Sequence, residues 1–326
     1  MNTLYPLKFT PILKDKIWGG KKLKTLLNKT NSSETCGESW EISGYDGNFS
    51  VVNQGFLEGN ELPELIEVYM GDLVGDKVYD TFGLEFPLLI KFIDASEVLS
   101  IQVHPDDTLA MERHNSCGKT EMWYVLQAEQ GSQLISGFRT QLDKKTYTKL
   151  LNDGELESAL NYEPVRAGDV FFMPAGRIHA IGAGILIAEI QQTSDLTYRI
   201  YDFNRKDSEG NLRELHTEAA LEAIDFAVSD SYKTSYPVIS NKTVNAVDCI
   251  YFTTNIVNFN KPVEKDFILI DSFVIYMCAD GAGEIIYGDG ESVSFTKGET
   301  ILIPAAVKNI TLKPNKPTVL LEIYIK

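Results

Sequence analysis

The chain has 326 residues, 44% hydrophobic and 23% charged, a balance that suits a globular protein with a sizeable core in one large or two modest domains. Its net charge of −16 excludes nucleic acid and an anionic membrane surface as partners, because both need a basic face, but leaves room for a small anionic substrate where a few Lys and Arg converge. Met1 to Lys8 carries no leader pattern, and no apolar run approaches the roughly 18 residues of a membrane span, so a cytoplasmic protein is expected.

Taken in chain order, the first sixty residues are punctuated by glycine and tryptophan, as in Ile17-Trp18-Gly19-Gly20 and Gly37-Glu38-Ser39-Trp40. Apolar residues at helical spacing then predict a helix over about 61–75, with Pro63 in its first turn. Strand-like runs follow at Phe86 to Ile93, Leu99 to His104 and Glu121 to Leu126. Helical character returns over about 143–162, broken near Asn152-Asp153-Gly154, and strands resume from Asp169 to about Tyr201. A third helix is expected over 217–226, with Thr217 as its N-cap. Residues 229–242 are rich in Ser, Thr, Tyr and Pro without apolar periodicity and read as a linker. The rest is strand-like, and the fold expected is mainly β.

Cys36, Cys117, Cys249 and Cys278 form no CxxC pair and read as reduced thiols. Histidine occurs only at 104, 114, 179 and 216, so any His-rich metal site draws on that short set. An internal repeat is visible without gaps: Gly168-Asp-Val-Phe-Phe-Met-Pro174-Ala-Gly176-Arg-Ile-His179 matches Gly298-Glu-Thr-Ile-Leu-Ile-Pro304-Ala-Ala306-Val-Lys-Asn309. Two homologous β-units follow, divided into residues 1–235 and 236–326. Asn309 stands where the first copy has His179, so only the first unit is expected to bind metal.

The spacing Gly-x5-Pro-x-Gly-x2-His in Gly168 to His179 resembles the second motif of the cupin superfamily, which implies a pair of jelly-roll β-barrel units with helical insertions. Gln102 and His104 lie one residue apart on a strand and therefore share a face, and Glu121 opens the next strand. Together with His179 they form a candidate metal set, in which Gln102 acts as a ligand or as an orienting neighbour.

Beyond the single motif, the chain resembles the type I mannose-6-phosphate isomerases in their short bacterial form. The resemblance rests on Ile17 to Gly20, Gly37 to Ser43, Ser100-Ile-Gln-Val-His-Pro-Asp-Asp107, Gly118-Lys-Thr-Glu-Met-Trp-Tyr124, Pro174 to Ala180 and Glu189-Ile-Gln-Gln-Thr-Ser-Asp-Leu-Thr-Tyr-Arg-Ile-Tyr-Asp202. It implies Gln102, His104, Glu121 and His179 as ligands of one zinc ion, Arg199 as a catalytic residue, Lys119 and Glu189 as polar active-site residues, and Ser100 near the substrate phosphate. The longer form carries a tyrosine where this chain has Ile181, so roles of that tyrosine do not transfer.

The implied reaction moves a proton between C1 and C2 of mannose 6-phosphate and fructose 6-phosphate through an enediol. A divalent metal and preorganised positive groups stabilise the developing negative charge. Arg199 suits enediolate stabilisation better than proton abstraction. The base is left between Glu189, Lys119 and a metal-bound hydroxide. Two histidines and a carboxylate also suit Fe(II), and zinc is preferred because the reaction needs no redox change. Other readings of the same residues are a non-catalytic sugar-phosphate-binding cupin and a cupin oxygenase.

Overall fold

A computed structural model describes residues 3–206 and 209–326. The described residues form four antiparallel sheets. Largely apolar runs such as Leu88–Ala95 and Ile185–Gln192 set this pattern, because they are buried along their whole length and pair edge to edge. A seven-stranded sheet runs in the order Ile12–Gly20, Cys36–Ser43, Leu88–Ala95, Ile185–Gln192, Glu121–Ala128, Val170–Met173 and Lys233–Thr234. Facing it is a five-stranded sheet in the order Tyr198–Tyr201, Ile101–Val103, His179–Ala180, Gln133–Phe138 and Leu160–Pro164.

The remaining two sheets repeat this plan with later residues. One orders Lys242–Asp248, Thr253–Phe259, Thr318–Tyr324, Val274–Asp280 and Thr300–Ile303, and the other Val263–Asp266, Asn309–Pro314, Ala282–Tyr287 and Glu291–Thr296. Both halves are cupin jelly rolls, as their strand-skipping order requires. A hydrophobic cluster joins the halves, since Leu7, Phe86, Phe273, Ile275 and Leu302 belong to one buried core. Leu7 also exchanges both backbone hydrogen bonds with Leu302, at 2.8 and 2.9 Å.

The helical expectations need three corrections. The segment 61–75 is broken rather than continuous: Leu62–Tyr69 stops at Met70, whose φ of 46° cannot continue a helix, and short helices Gly71–Val74 and Asp76–Phe82 carry the chain past 75. Over 143–162 the α-helix is only Lys144–Asn152, capped by the Asp143 carboxylate; a 3-10 turn Leu156–Ala159 follows, and residue 160 already begins a strand. The third helix is Thr217–Ala223, with His216 rather than Thr217 at the cap position.

Two short helices, Lys22–Leu27 and Asp107–His114, were not expected at all. The stretch 229–242 is not free linker either. Tyr232 is buried and donates its hydroxyl to the Phe138 carbonyl at 2.8 Å, and Lys233–Thr234 adds an edge strand to Val170–Met173.

Candidate active site

The interior face of the five-stranded sheet carries a row of side chains set by register. Arg199 pairs with Gln102, Gln102 with His179, and His179 with Ser136, so these four residues share one face. Glu121 reaches the same space from the opposite sheet. The Nε2 atoms of His104 and His179 each lie 3.4 Å from a different Glu121 oxygen, and the three groups lie within 4.8 Å of one another.

Local structure delivers these groups. The strand holding Gln102 ends at His104-Pro105, and Asp106 caps the next helix by accepting from the Leu109 N–H at 2.8 Å. Gly118 then passes so close that a Cβ would meet the Asp106 and Asp107 backbone at 2.6 Å, which brings Lys119 and Glu121 back against His104. The His104 carbonyl accepts from Gly176 N–H at 2.9 Å, pinning the first histidine to the turn before the second. That turn needs Gly176 at φ 86°, whereas Ala306 in the second copy has no positive φ.

Both histidines are oriented by the same device. His104 Nδ1 donates to the Leu196 carbonyl and His179 Nδ1 to the Arg177 carbonyl, each at 2.8 Å, which leaves both Nε2 lone pairs facing Glu121. Burial, with the Lys119 charge adding to it, depresses His104 to about 4, and burial likewise lowers His179. Both are therefore neutral near pH 7, the state a metal ion requires.

Lys119 Nζ lies 3.1 Å from Glu121 Oε2 and 3.3 Å from His104 Nε2. Burial opposes its charge, but Glu121, Glu189 and Asp195 outweigh that and raise its proton affinity. Glu121 is wholly buried and is held well below the usual carboxylate range by Lys119 and the histidines, against its own desolvation. Although the Lys119 ammonium stands within ion-pair distance, neither Glu121 oxygen accepts a well-directed hydrogen bond. Two converging imidazole lone pairs beside a carboxylate with unsatisfied oxygens are what a divalent cation would complete. The donor set fits a metal ion. Gln102 Nε2 lies 3.3 Å from His179 Nε2, while its Oε1 accepts from Ser100 Oγ at 3.3 Å, so a half-turn of the amide would aim the oxygen at the cluster.

Beside the cluster opens a cavity of about 240 Å³. Every other expected site residue lines it: Ser100, Gln102, Lys119, Glu189 and Arg199. The sequence reading missed Lys91, Glu38, Asp195 and Arg213 in the same wall. Lys91 had left a signal, since a lysine inside the apolar run Phe86 to Ile93 must find buried partners. It lies 3.2 Å from Glu189 Oε1 and 2.7 Å from Gln191 Oε1, and over the Trp40 ring. The second oxygen of Glu189 accepts from Trp123 Nε1 at 2.9 Å.

Register reveals that this carboxylate has a counterpart in the second unit. Glu189 pairs with Trp123 and Trp123 with Phe171; Glu322 pairs with Tyr276 and Tyr276 with Ile301, the residue matching Phe171 in the repeat. Glu322 is also buried, accepting from the Tyr276 hydroxyl and from Asn255 Nδ2 and pairing with Lys265. Among the described residues, however, the His104, Glu121 and His179 group is the only cluster suited to a metal. Asn309 is exposed.

The fold and the cluster define a class: a bicupin with one buried His-Glu-His site able to hold a metal ion beside a polar cavity. Residues 6–139 match the family model for the type I phosphomannose isomerase catalytic domain, and residues 242–319 the model for the mannose-6-phosphate isomerase cupin domain. A mannose-6-phosphate isomerase of Bacillus subtilis is 35% identical over 321 residues, covering 95% of this chain and 96% of the relative. One from Streptococcus mutans is 34% identical over 305 residues, covering 93% and 94%. The crystal structure of the mannose 6-phosphate isomerase from Bacillus subtilis superposes with a TM-score of 0.89 at 33% identity, covering 99% of this chain and 100% of the other. The chain belongs to the type I mannose-6-phosphate isomerase family and is an aldose-ketose isomerase.

Proposed function

We propose that the protein interconverts D-mannose 6-phosphate and D-fructose 6-phosphate through an enediol, with one zinc ion held by His104, His179, Glu121 and Gln102. The observation that carries this reading is the buried cluster opening onto a cavity lined by Lys91, Lys119 and Arg199 in a chain of the isomerase family. Zinc suits two neutral imidazoles and a carboxylate, and supplies Lewis-acid polarisation of a sugar carbonyl without redox change.

The chain's own residues then divide the work. Arg199 shares a face with Gln102 and carries a fixed positive charge, which stabilises the negative oxygen that develops as the proton leaves carbon. Lys119, held protonated among three carboxylates, adds a second positive group beside the same oxygens. Ser100 orients the Gln102 amide. Glu189 fixes the Lys91 ammonium through Oε1 and accepts from the Trp123 indole through Oε2, and because each oxygen keeps a further lone pair on the cavity wall it is also the carboxylate placed to take the proton. The anchoring part of this role recurs at its counterpart Glu322, which accepts from the Tyr276 hydroxyl in the second unit, where the described residues hold no metal cluster.

We assign catalysis to residues 1–235 and a structural role to 236–326, whose repeat lacks the histidine. A cytoplasmic location is part of the same proposal, since a charged sugar phosphate does not cross a membrane unaided. Turnover of mannose 6-phosphate in D2O tests the chemistry. Proton transfer through an enediol exchanges with solvent, so deuterium at C1 of the fructose 6-phosphate formed is expected, and product with no deuterium under any condition would favour a hydride shift instead.

A further inference from the structure

Lys119 and Glu121 turn their polar atoms toward the cluster and the cavity, so their placement falls to the backbone that carries them. Neither Glu121 oxygen accepts a directed hydrogen bond, whereas the three N–H groups leading up to it are all engaged. Gly118 donates to Asp107 Oδ1 at 2.8 Å, Lys119 to the Pro105 carbonyl at 3.1 Å and Thr120 to Gln192 Oε1 at 2.8 Å. Gln192 also donates its own N–H to the Thr120 carbonyl at 3.2 Å and its Nε2 to Asp107 Oδ1 at 2.9 Å. Asp107 stands three residues after His104 and Gly118 three residues before Glu121, so this one carboxylate ties together the two chain segments that carry these members of the cluster.

The second oxygen of Asp107 is held from the other half of the molecule. The hairpin formed by Lys242–Asp248 and Thr253–Phe259 turns at 249–252, where the Cys249 N–H donates to the Phe252 carbonyl at 3.0 Å. Ile250 faces solvent in that turn and Phe252 is buried in the core shared by both units. Tyr251, between them, donates its hydroxyl to Asp107 Oδ2 at 2.6 Å, the length of a charge-assisted bond. Burial opposes ionisation of Asp107, but the Tyr251 hydroxyl, the Gln192 amide and the Gly118 N–H outweigh it and hold the carboxyl below its usual range. Other side-chain bonds between the units, such as Lys8 with Glu299 and Asp271 with the N–H groups of Asp76 and Lys77, end on the N-terminal segment and on the helix Asp76–Phe82. The Tyr251 bond ends on a carboxylate that holds the backbone of the cluster itself.

We propose that Tyr251 and Asp107 are positioning residues: the second cupin unit fixes the Asp107 carboxylate through one hydroxyl, and Asp107 with Gln192 fixes the 118–120 backbone so that Lys119 and Glu121 meet the two histidines. Neither Tyr251 nor Asp107 lines the cavity, so both act through the segment they hold. The kinetic part of this role rests on the isomerase reading, and the metal part on the cluster alone. Metal sites depend on such support, since groups that orient a ligand change metal affinity about 10–100-fold. The Tyr251 hydroxyl supplies one of three bonds to Asp107 and stands one step further from the cluster, so its effect is the smaller.

The test compares the full chain as wild type, Tyr251→Phe, Asp107→Ala, the double variant and Glu322→Gln, whose partners are Tyr276, Asn255 and Lys265 rather than this turn. Zinc affinity is measured by chelator competition, and kcat and KM for mannose 6-phosphate on the zinc-loaded proteins. Tyr251→Phe is expected to weaken zinc binding about threefold to tenfold and to lower kcat with a smaller change in KM, and Asp107→Ala to weaken zinc binding about 10–100-fold. Because the hydroxyl acts through the carboxylate, adding Tyr251→Phe to Asp107→Ala brings no further loss of zinc affinity. Glu322→Gln, though less stable, keeps the wild-type zinc affinity. Wild-type zinc affinity in Tyr251→Phe, a full second loss in the double variant, or an equal loss in Glu322→Gln overturns the proposal. Should Asp107→Ala not fold, Asp107→Asn takes its place in the comparison; the effect of adding Tyr251→Phe then shrinks, and an undiminished one overturns the proposal. If the wild type turns over no mannose 6-phosphate, the isomerase reading fails, and the zinc affinities still decide the positioning role.

Discussion

Replacing Glu121 by Gln keeps the shape of the side chain and removes the one negative charge at the centre of the cluster. In the metal-free protein, Lys119 loses the carboxylate 3.1 Å away while remaining only 5% exposed. Removing one partner of such a buried pair costs about 3–5 kcal/mol, because the other charge stays behind without compensation. With metal, the cluster loses its only anionic ligand. Changing groups that merely orient a ligand lowers metal affinity about 10–100-fold, so loss of the carboxylate itself should exceed the upper end of that range. Urea unfolding after chelator treatment reads the first effect, and metal content after dialysis against zinc buffers reads the second. A variant that unfolds at the wild-type midpoint and keeps one zinc ion with wild-type affinity would refute this account of Glu121.

Four further outcomes follow from the geometry. Glu189→Gln removes the carboxylate placed to take the proton and weakens the hold on Lys91, and should lower kcat about 100-fold or more with a smaller change in KM; an unchanged kcat in steady-state assays removes Glu189 from the reaction. Glu322→Gln should destabilise the fold by a few kcal/mol, about as much as breaking other buried pairs, yet leave KM and zinc content as in wild type. Altered kinetics in that variant would show that the second unit shapes the site beyond the Tyr251 contact. Glu38, held at about 2 by Lys91, Lys16 and the Trp40 indole against its own burial, lies below its ordinary value of 4.5. Its contribution is therefore present above pH 4.5 and is lost as pH falls toward 2; stability measured from pH 6 to 2.5 should fall less steeply in Glu38→Gln than in wild type. Gly176→Ala forces a side chain into φ 86° beside the Ala223 carbonyl at 3.0 Å, a strain of about 1–2 kcal/mol that thermal unfolding would detect.

How much of this was legible in the sequence depended on the kind of signal. The gapless match of Gly168 to His179 with Gly298 to Asn309 sufficed for two β-units and for placing the histidine in one of them. The alignment of Glu189 with Glu322 and of Trp123 with Tyr276 was not legible, because the first unit inserts the helix Lys144–Asn152 between the corresponding strands and only register restores the match. The helix Asp107–His114 escaped notice because it buries little apolar surface and begins at a Pro-Asp-Asp that reads as a turn; the Asp106 cap supplies its start. Helix ends were misjudged where a backbone detail decides, as at Met70. Lys91 could have been found by asking what a lysine does in an apolar strand. Arg213 could not, since nothing local distinguishes it and only its sharing of Asp202 with Arg205 sets it in the wall.

The central claim, metal-dependent isomerisation at the His104, Glu121 and His179 cluster, is tested most directly by following mannose 6-phosphate turnover in a coupled assay before chelation, after chelation and after reloading with zinc. The account predicts activity in the native protein, its loss on stripping and its return with zinc, and no comparable return when Glu121→Gln is reloaded. Turnover that survives complete removal of metal, or a zinc-loaded wild type that leaves mannose 6-phosphate unchanged, would contradict it.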